Sequence, residues 1–149
     1  LLREKGKTLS TAESCTGGYI AHLITSISGS SDYFQGSIVS YSNEVKQNTL
    51  GVSSSDIETH GAVSEEVVRQ MAEGARKTMR TDFAVSTSGV AGPKGGSDQK
   101  PVGTVWIAVA GPERTIAKKY TFGNNRERNI RQSALAALNM LRKEILADT

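Results

Sequence analysis

The chain has 149 residues, with 18 Lys and Arg against 15 Asp and Glu, 15 Gly, 3 Pro and a formal net charge of +3. That length suits one domain with its own core, and many glycines with few prolines favour tight turns over a disordered linker. The scattered charge and 5% aromatic content exclude the basic stripe with stacking rings of a nucleic-acid binder, and no apolar run nears the roughly 20 residues of a membrane span.

Cys15 is the single cysteine, so an intrachain disulfide and a cysteine-based zinc cluster are excluded. A reduced, cytoplasmic setting is the expectation that follows. A small anionic ligand, which needs only two or three cations, fits this composition better than a nucleic acid or a membrane.

Leu1 to Gly6 reads as the last turn of a helix stopped by glycine. The natural chain is therefore expected to extend upstream or to continue from an upstream domain, with residues 1–149 forming one domain. Lys7 to Ala12 reads as a first strand. From Gly17 to about Ser26, Ile20, Ala21, Leu23 and Ile24 recur at helical spacing. Phe34 to Ser42 reads as a second strand, and Asn43 as the N-cap of a short helix ending at Leu50–Gly51. Ser64 is the expected N-cap of a helix striped by Val67, Val68, Met71, Ala72, Ala75 and Met79.

Asp82 to Ser88 follows as a strand and empties into the loop Gly89-Val90-Ala91-Gly92-Pro93-Lys94-Gly95-Gly96-Ser97. Val102 to Ala110 and Thr115 to Phe122 form an expected hairpin, and Arg126 to Leu146 a closing helix. The alternation predicts an α/β fold: a three-layer α/β/α sandwich around a mixed sheet of about five to six strands.

Thr11-Ala12-Glu13-Ser14-Cys15-Thr16-Gly17-Gly18 stands where the first strand hands over to a helix. The first amides of a helix lack intrahelical partners and carry partial positive charge, so they suit a phosphate or the oxyanion beside a nucleophilic serine. His22 and His60 are the only histidines and neither has ligand spacing, which argues against a metal site and a Ser-His-Asp triad. That leaves lysine as the base, provided its pKa is lowered.

Lys46 lies one turn into the helix after the second strand, on the same rim of the sheet as Ser14 if strand ends converge there. A solvated surface lysine is the competing reading. The glycine loop from Gly89 through Ala91, Gly92, Gly95 and Gly96 to Ser97 lacks a Walker or dinucleotide pattern and reads as a ligand loop. Arg126 and Arg131 oppose the dipole of the last helix, which suits an anion bound there, whereas Arg128 reads as solvated.

Taken together these residues resemble the CinA C-terminal domain family. The matching stretches are Ala12–Gly18, Phe34–Asn43 followed by Lys46, Leu50–Val52, Gly61–Ser64, Ser88–Pro93 with Gly95–Gly96, Lys100–Val105, and Arg126 with Arg131. Ser88 stands where threonine is common in the family, and Asn125 where aspartate is.

The resemblance implies hydrolysis of the carboxamide of nicotinamide mononucleotide to nicotinate mononucleotide and ammonia, without metal or cofactor. It implies Ser14 as nucleophile, Lys46 as base, and Ser31 and Tyr41 as assisting polar groups. Amides among Thr16, Gly17 and Gly18 are then expected to hold the oxyanion. The second glycine loop, with Arg126 or Arg131, is expected to hold the phosphate. Cys15 is the alternative nucleophile, ranked behind Ser14. The resemblance is compatible with a homodimer and with a fused upstream domain. Two rival functions are a non-catalytic nucleotide-binding module and an interaction domain tied to DNA uptake or repair.

Overall fold

The computed structural model describes residues 1–148. Five strands form one sheet in the order β2-β1-β3-β4-β5, where β1 is Leu9–Glu13, β2 Phe34–Val39, β3 Phe83–Gly89, β4 Thr104–Ala110 and β5 Thr115–Thr121. β1 runs parallel to β2 and β3, whereas β3–β4 and β4–β5 are antiparallel, so the sheet is mixed as expected. Helices α1 (Leu2–Lys5), α2 (Tyr19–Thr25), α3 (Asn43–Leu50), α4 (Ser54–His60), α5 (Glu65–Met79) and α6 (Arg126–Ala147) complete the chain. No helix among the described residues is long and apolar enough to cross a membrane.

Strand alternation divides the core into two layers. Leu9, Phe83, Val85, Val105, Ile107 and Val109 face α2 and α6, meeting Ile20, Ile24, Ala134, Leu141 and Ile145. On the other face Ala12 and Ala84 meet Val67, Met71 and Ala75 of α5, while Ala108 and Ala110 admit Val68 and Ala72. The three-layer sandwich read from the sequence is therefore the observed architecture.

Local differences have local causes. The N-cap of α3 is Ser42, whose Oγ accepts from Val45 N at 3.2 Å, one residue before the expected Asn43. β2 ends at Val39 because the chain turns there to enter this cap. α4 was not expected at all: of its seven residues only Ile57 is buried, so it has no apolar stripe to read. The cap of α5 is Ser64, as expected, with Oγ accepting from Val67 N at 3.3 Å.

One contact ties the α5 layer to the site. Gly74 crosses the C-terminus of α3 so closely that a Cβ there would stand 2.0 Å from the Leu50 carbonyl oxygen. A backbone atom cannot yield as a side chain can. Gly74→Ala is expected to destabilise the fold by about 2 kcal/mol despite its better helix propensity. Thermal unfolding checks this, and unchanged stability would mean that α3 moves freely against α5.

Candidate active site

Both parallel crossovers deliver their chain to the same rim of the sheet. β1 ends at Glu13, and the Ser14 amide donates to the Thr87 carbonyl of β3 at 3.1 Å, which pins Ser14 just beyond the strand end. The turn that follows needs left-handed backbone at Gly17 (φ 59°) and Gly18 (φ 101°), which glycine supplies without strain. β2 returns to this rim, where the Ser40 amide donates to the Glu13 carbonyl at 2.8 Å. Ser42 then starts α3, and Lys46 lies one turn further on.

Lys46 Nζ sits 3.0 Å from Ser14 Oγ and donates to the carbonyls of Ser40 (2.8 Å) and Tyr41 (3.2 Å). Lys46 is 1% exposed, so the solvated-lysine reading does not describe this residue. Burial pulls its pKa below the ordinary lysine value, and only the neighbouring Cys15 thiolate would oppose that shift. Cys15 is buried too, and burial pushes its thiol up to about 12, against a partly offsetting hydrogen bond from Thr87. A thiol at that value is protonated at neutral pH and is a poor nucleophile.

The pair opens into a cleft of about 320 Å³. Tyr41 and Asn43 form one wall, Ala62 and Val63 another, and the glycine loop from Gly89 to Gly95 the third, with Arg126 at the mouth. Lys46, Lys94 and Arg126 line it, and among the described residues no carboxylate does. Arg126 donates to the Gly92 carbonyl (2.8 Å) and the Tyr41 hydroxyl (3.1 Å), bridging two walls. Asn129, one turn later and buried, donates to the carbonyls of Ala91 (3.0 Å) and Gly123 (2.9 Å), fixing the loop to α6.

Glu13 changes the expected use of the α2 N-terminus. Its side chain is fully buried. Oε1 accepts from Thr16 Oγ1 (2.7 Å), Gly18 N (3.2 Å) and Ile20 N (2.9 Å), and Oε2 from Ala21 N (2.9 Å) and Ser37 Oγ (3.3 Å). Gly17 N donates to the Ser14 carbonyl at 3.0 Å. The Gly17 and Gly18 amides are thus committed inside the protein and are not the oxyanion donors expected from the sequence. The amides of Cys15 and Thr16 have no partner in another residue among those described.

Other expected positions divide. Tyr41, Gly89, Ala91, Gly92, Gly95 and Arg126 line the cleft together with Ser14 and Lys46. Ser31 does not: it lies exposed in the 3-10 turn Ser30–Asp32 before β2, at the opposite end of the parallel strands. With Leu9 in register with Phe34 and Glu13 with Val39, that separation exceeds about 13 Å along the strand direction. Ser97 closes its own turn, its Oγ accepting from Lys100 N at 3.0 Å, and Gly96 packs on Val102, so both lie behind the loop. Arg131 is exposed on α6 beyond the mouth and does not line the cleft. Sequence reasoning missed Lys94, Asn129 and Glu13. Only Glu13 left a legible signal, an acid at the end of a buried strand within reach of a helix start.

The sequence model described as "CinA C-terminal domain" matches residues 1–145. A "CinA-like protein" of Cytophaga hutchinsonii is 49% identical over 145 residues, spanning 97% of this chain but 35% of that protein. The chain thus spans about a third of the length of several curated relatives. The "Nicotinamide-nucleotide amidohydrolase PncC" of Escherichia coli K12 is 48% identical over 149 residues, covering 99% of this chain and 90% of that one. Among solved structures, competence damage-inducible protein A from Klebsiella pneumoniae superposes with a TM-score of 0.95 at 34% identity, covering 99% of this chain and 92% of that one. The competence/damage inducible protein CihA from Agrobacterium tumefaciens gives 0.93 at 40% identity, covering 95% and 87%.

Proposed function

The chain belongs to the CinA C-terminal domain family, and from that premise we propose that it hydrolyses the carboxamide of nicotinamide mononucleotide, giving nicotinate mononucleotide and ammonia. The observation that carries this reading is the buried Lys46 amine 3.0 Å from the Ser14 hydroxyl at the floor of the cleft. The relative named for amidohydrolase activity on nicotinamide nucleotides supports the substrate class. In a longer protein the same cleft would act as its amidase module.

A neutral amine has two N–H bonds and one lone pair. The Ser40 and Tyr41 carbonyls take up the two N–H bonds, which turns the lone pair toward Ser14 Oγ–H. Ser14 Oγ attacks the carboxamide carbon while Lys46 accepts its proton directly, since Ser31 is too remote to relay it. The tetrahedral oxyanion falls to the amides of Cys15 and Thr16, each donor contributing roughly 3–4 kcal/mol. Lysine, now charged, protonates the amide nitrogen, which leaves as ammonia; it then takes a proton from the water that attacks the acyl-enzyme and returns it to Ser14 Oγ as the ester bond breaks. The positive pyridinium nitrogen withdraws electrons from the amide and eases the first attack.

The phosphate lies at the other end of the substrate and needs its own partners. Lys94 and Arg126 are the cations at the cleft mouth, and Arg126 exchanges its Tyr41 and Gly92 contacts for the anion. Arg126→Ala is expected to raise KM about 10- to 100-fold, the worth of charged hydrogen bonds of ~1.5–3 kcal/mol, with a smaller change in kcat. Steady-state kinetics distinguish this from a loss in kcat alone, which would place the phosphate elsewhere.

The direct test is ammonia release from nicotinamide mononucleotide compared with free nicotinamide. Turnover of the nucleotide well above that of the free base is the expected result. Binding of the nucleotide without ammonia release would contradict the amidase reading and leave a nucleotide-binding module.

A further inference from the structure

Glu13 is joined to both halves of the serine–lysine pair, to Ser14 through the turn that follows it and to Lys46 through Ser40. Its carboxylate fixes the Ser14–Gly18 turn through Thr16 Oγ1 and the α2 amides. Its carbonyl accepts from Ser40 N (2.8 Å) and Ser40 Oγ (3.3 Å), and the Ser40 carbonyl in turn accepts from Lys46 Nζ (2.8 Å). Thr16 Oγ1 is also 2.8 Å from Thr87 Oγ1, which fastens the turn to β3.

A buried carboxylate is costly unless fully hydrogen-bonded, and this one is satisfied on both oxygens by groups around the nucleophile turn. Helix N-termini lower the pKa of nearby thiols. Here the internal anion occupies that terminus: burial is the main brake on Cys15 ionisation, and the Glu13 charge adds to it.

We propose that Glu13 is the positioning residue of this site: it holds Ser14 over Lys46 and, by occupying the α2 N-terminus, adds to the burial that keeps the adjacent Cys15 an inert thiol. The inference rests on the amidase reading for its kinetic consequence but not for its effect on Cys15. Glu13 itself contacts no reacting atom. A carboxylate that merely stabilised the fold would affect the amount of folded enzyme and not the rate per folded site.

The experiment compares wild type, Glu13→Gln and Thr16→Val for thermal unfolding, ammonia release and alkylation of Cys15 by iodoacetamide. Folded Glu13→Gln is expected to lose about 10- to 100-fold in kcat, the cost of a misplaced nucleophile, with KM within about twofold. Its Cys15 is expected to alkylate about two- to threefold faster, because the burial that dominates its inertness remains. Thr16→Val removes one contact and keeps the charge, so its kcat falls while alkylation stays slow. Should Glu13→Gln fail to fold, Thr16→Val decides the positioning claim.

Wild-type kcat in either folded variant, or a loss that falls on KM, would overturn the proposal. If wild type itself releases no ammonia, the amidase reading fails. Glu13 is then judged on Cys15 alone, and unchanged alkylation in Glu13→Gln overturns it.

Discussion

Replacing Ser14 by alanine is expected to lower ammonia release from nicotinamide mononucleotide by at least about 10⁴-fold, the scale on which loss of a nucleophile acts in serine hydrolases. The loss should fall on kcat. Ser14 Oγ adds little to substrate binding, and the cationic mouth at Lys94 and Arg126 is untouched. Stability should change by no more than ~1 kcal/mol, because one hydrogen bond is removed and Lys46 keeps its two carbonyl partners. Coupled measurement of ammonia and thermal unfolding checks both halves. An alanine variant that still turned over within tenfold of wild type would mean that water, and not the serine, attacks the amide.

Lys46→Met is expected to remove activity by a similar factor, about 10³- to 10⁴-fold, since it deletes the general base and the later proton donor at once. Methionine has almost the same length, so it fills the same channel. The Ser40 and Tyr41 carbonyls lose a donor, but the burial cost of the amine disappears with it.

The pH dependence of stability identifies the buried amine independently of catalysis. Unfolded, Lys46 binds its proton up to a pKa of ~10.4, whereas burial holds the folded value lower. Between those two values the unfolded chain carries the extra proton, so stability rises with pH across that window and is lost as pH falls toward the folded value. Lys46→Met should lack that rise, which chemical denaturation at several pH values can measure. Activity in the wild type should fall on the acid side of the same folded value, as the base becomes protonated.

The fold was legible where periodicity carried it. The α5 stripe of Val67, Val68, Met71, Ala72 and Ala75 faces the sheet, and Ser64 caps it as expected. Helix α4 was invisible because Ser54–His60 buries only Ile57. The Ser14–Lys46 pair was legible although 32 residues separate them, because successive parallel strands bring their C-terminal ends to one rim. The same rule excludes Ser31, which precedes β2 and so belongs to the opposite rim. Family resemblance had attached it to the site without regard to that geometry.

Two of the three expected oxyanion donors, Gly17 and Gly18, have internal partners for a different reason. A glycine-rich helix start reads as a free anion site, yet whether a neighbouring side chain already occupies it depends on strand alternation. Leu9, Thr11 and Glu13 point to the α2 face, which brings the Glu13 carboxylate under the helix. Ser97 and Arg131 failed similarly: the composition of a loop or a helix start does not say which side chains face inward. Arg126 and Asn129 show the converse, since one turn of α6 presents both residues to the glycine loop.

In the proposed mechanism Ser14, deprotonated by an uncharged Lys46, forms a covalent intermediate. Rapid acid quench of the enzyme turning over nicotinamide mononucleotide, followed by peptide mass spectrometry, tests it most directly. The predicted result is a nicotinate mononucleotide ester on the peptide bearing Ser14, absent from Ser14→Ala. An adduct on Cys15, or full turnover by Ser14→Ala, would contradict it.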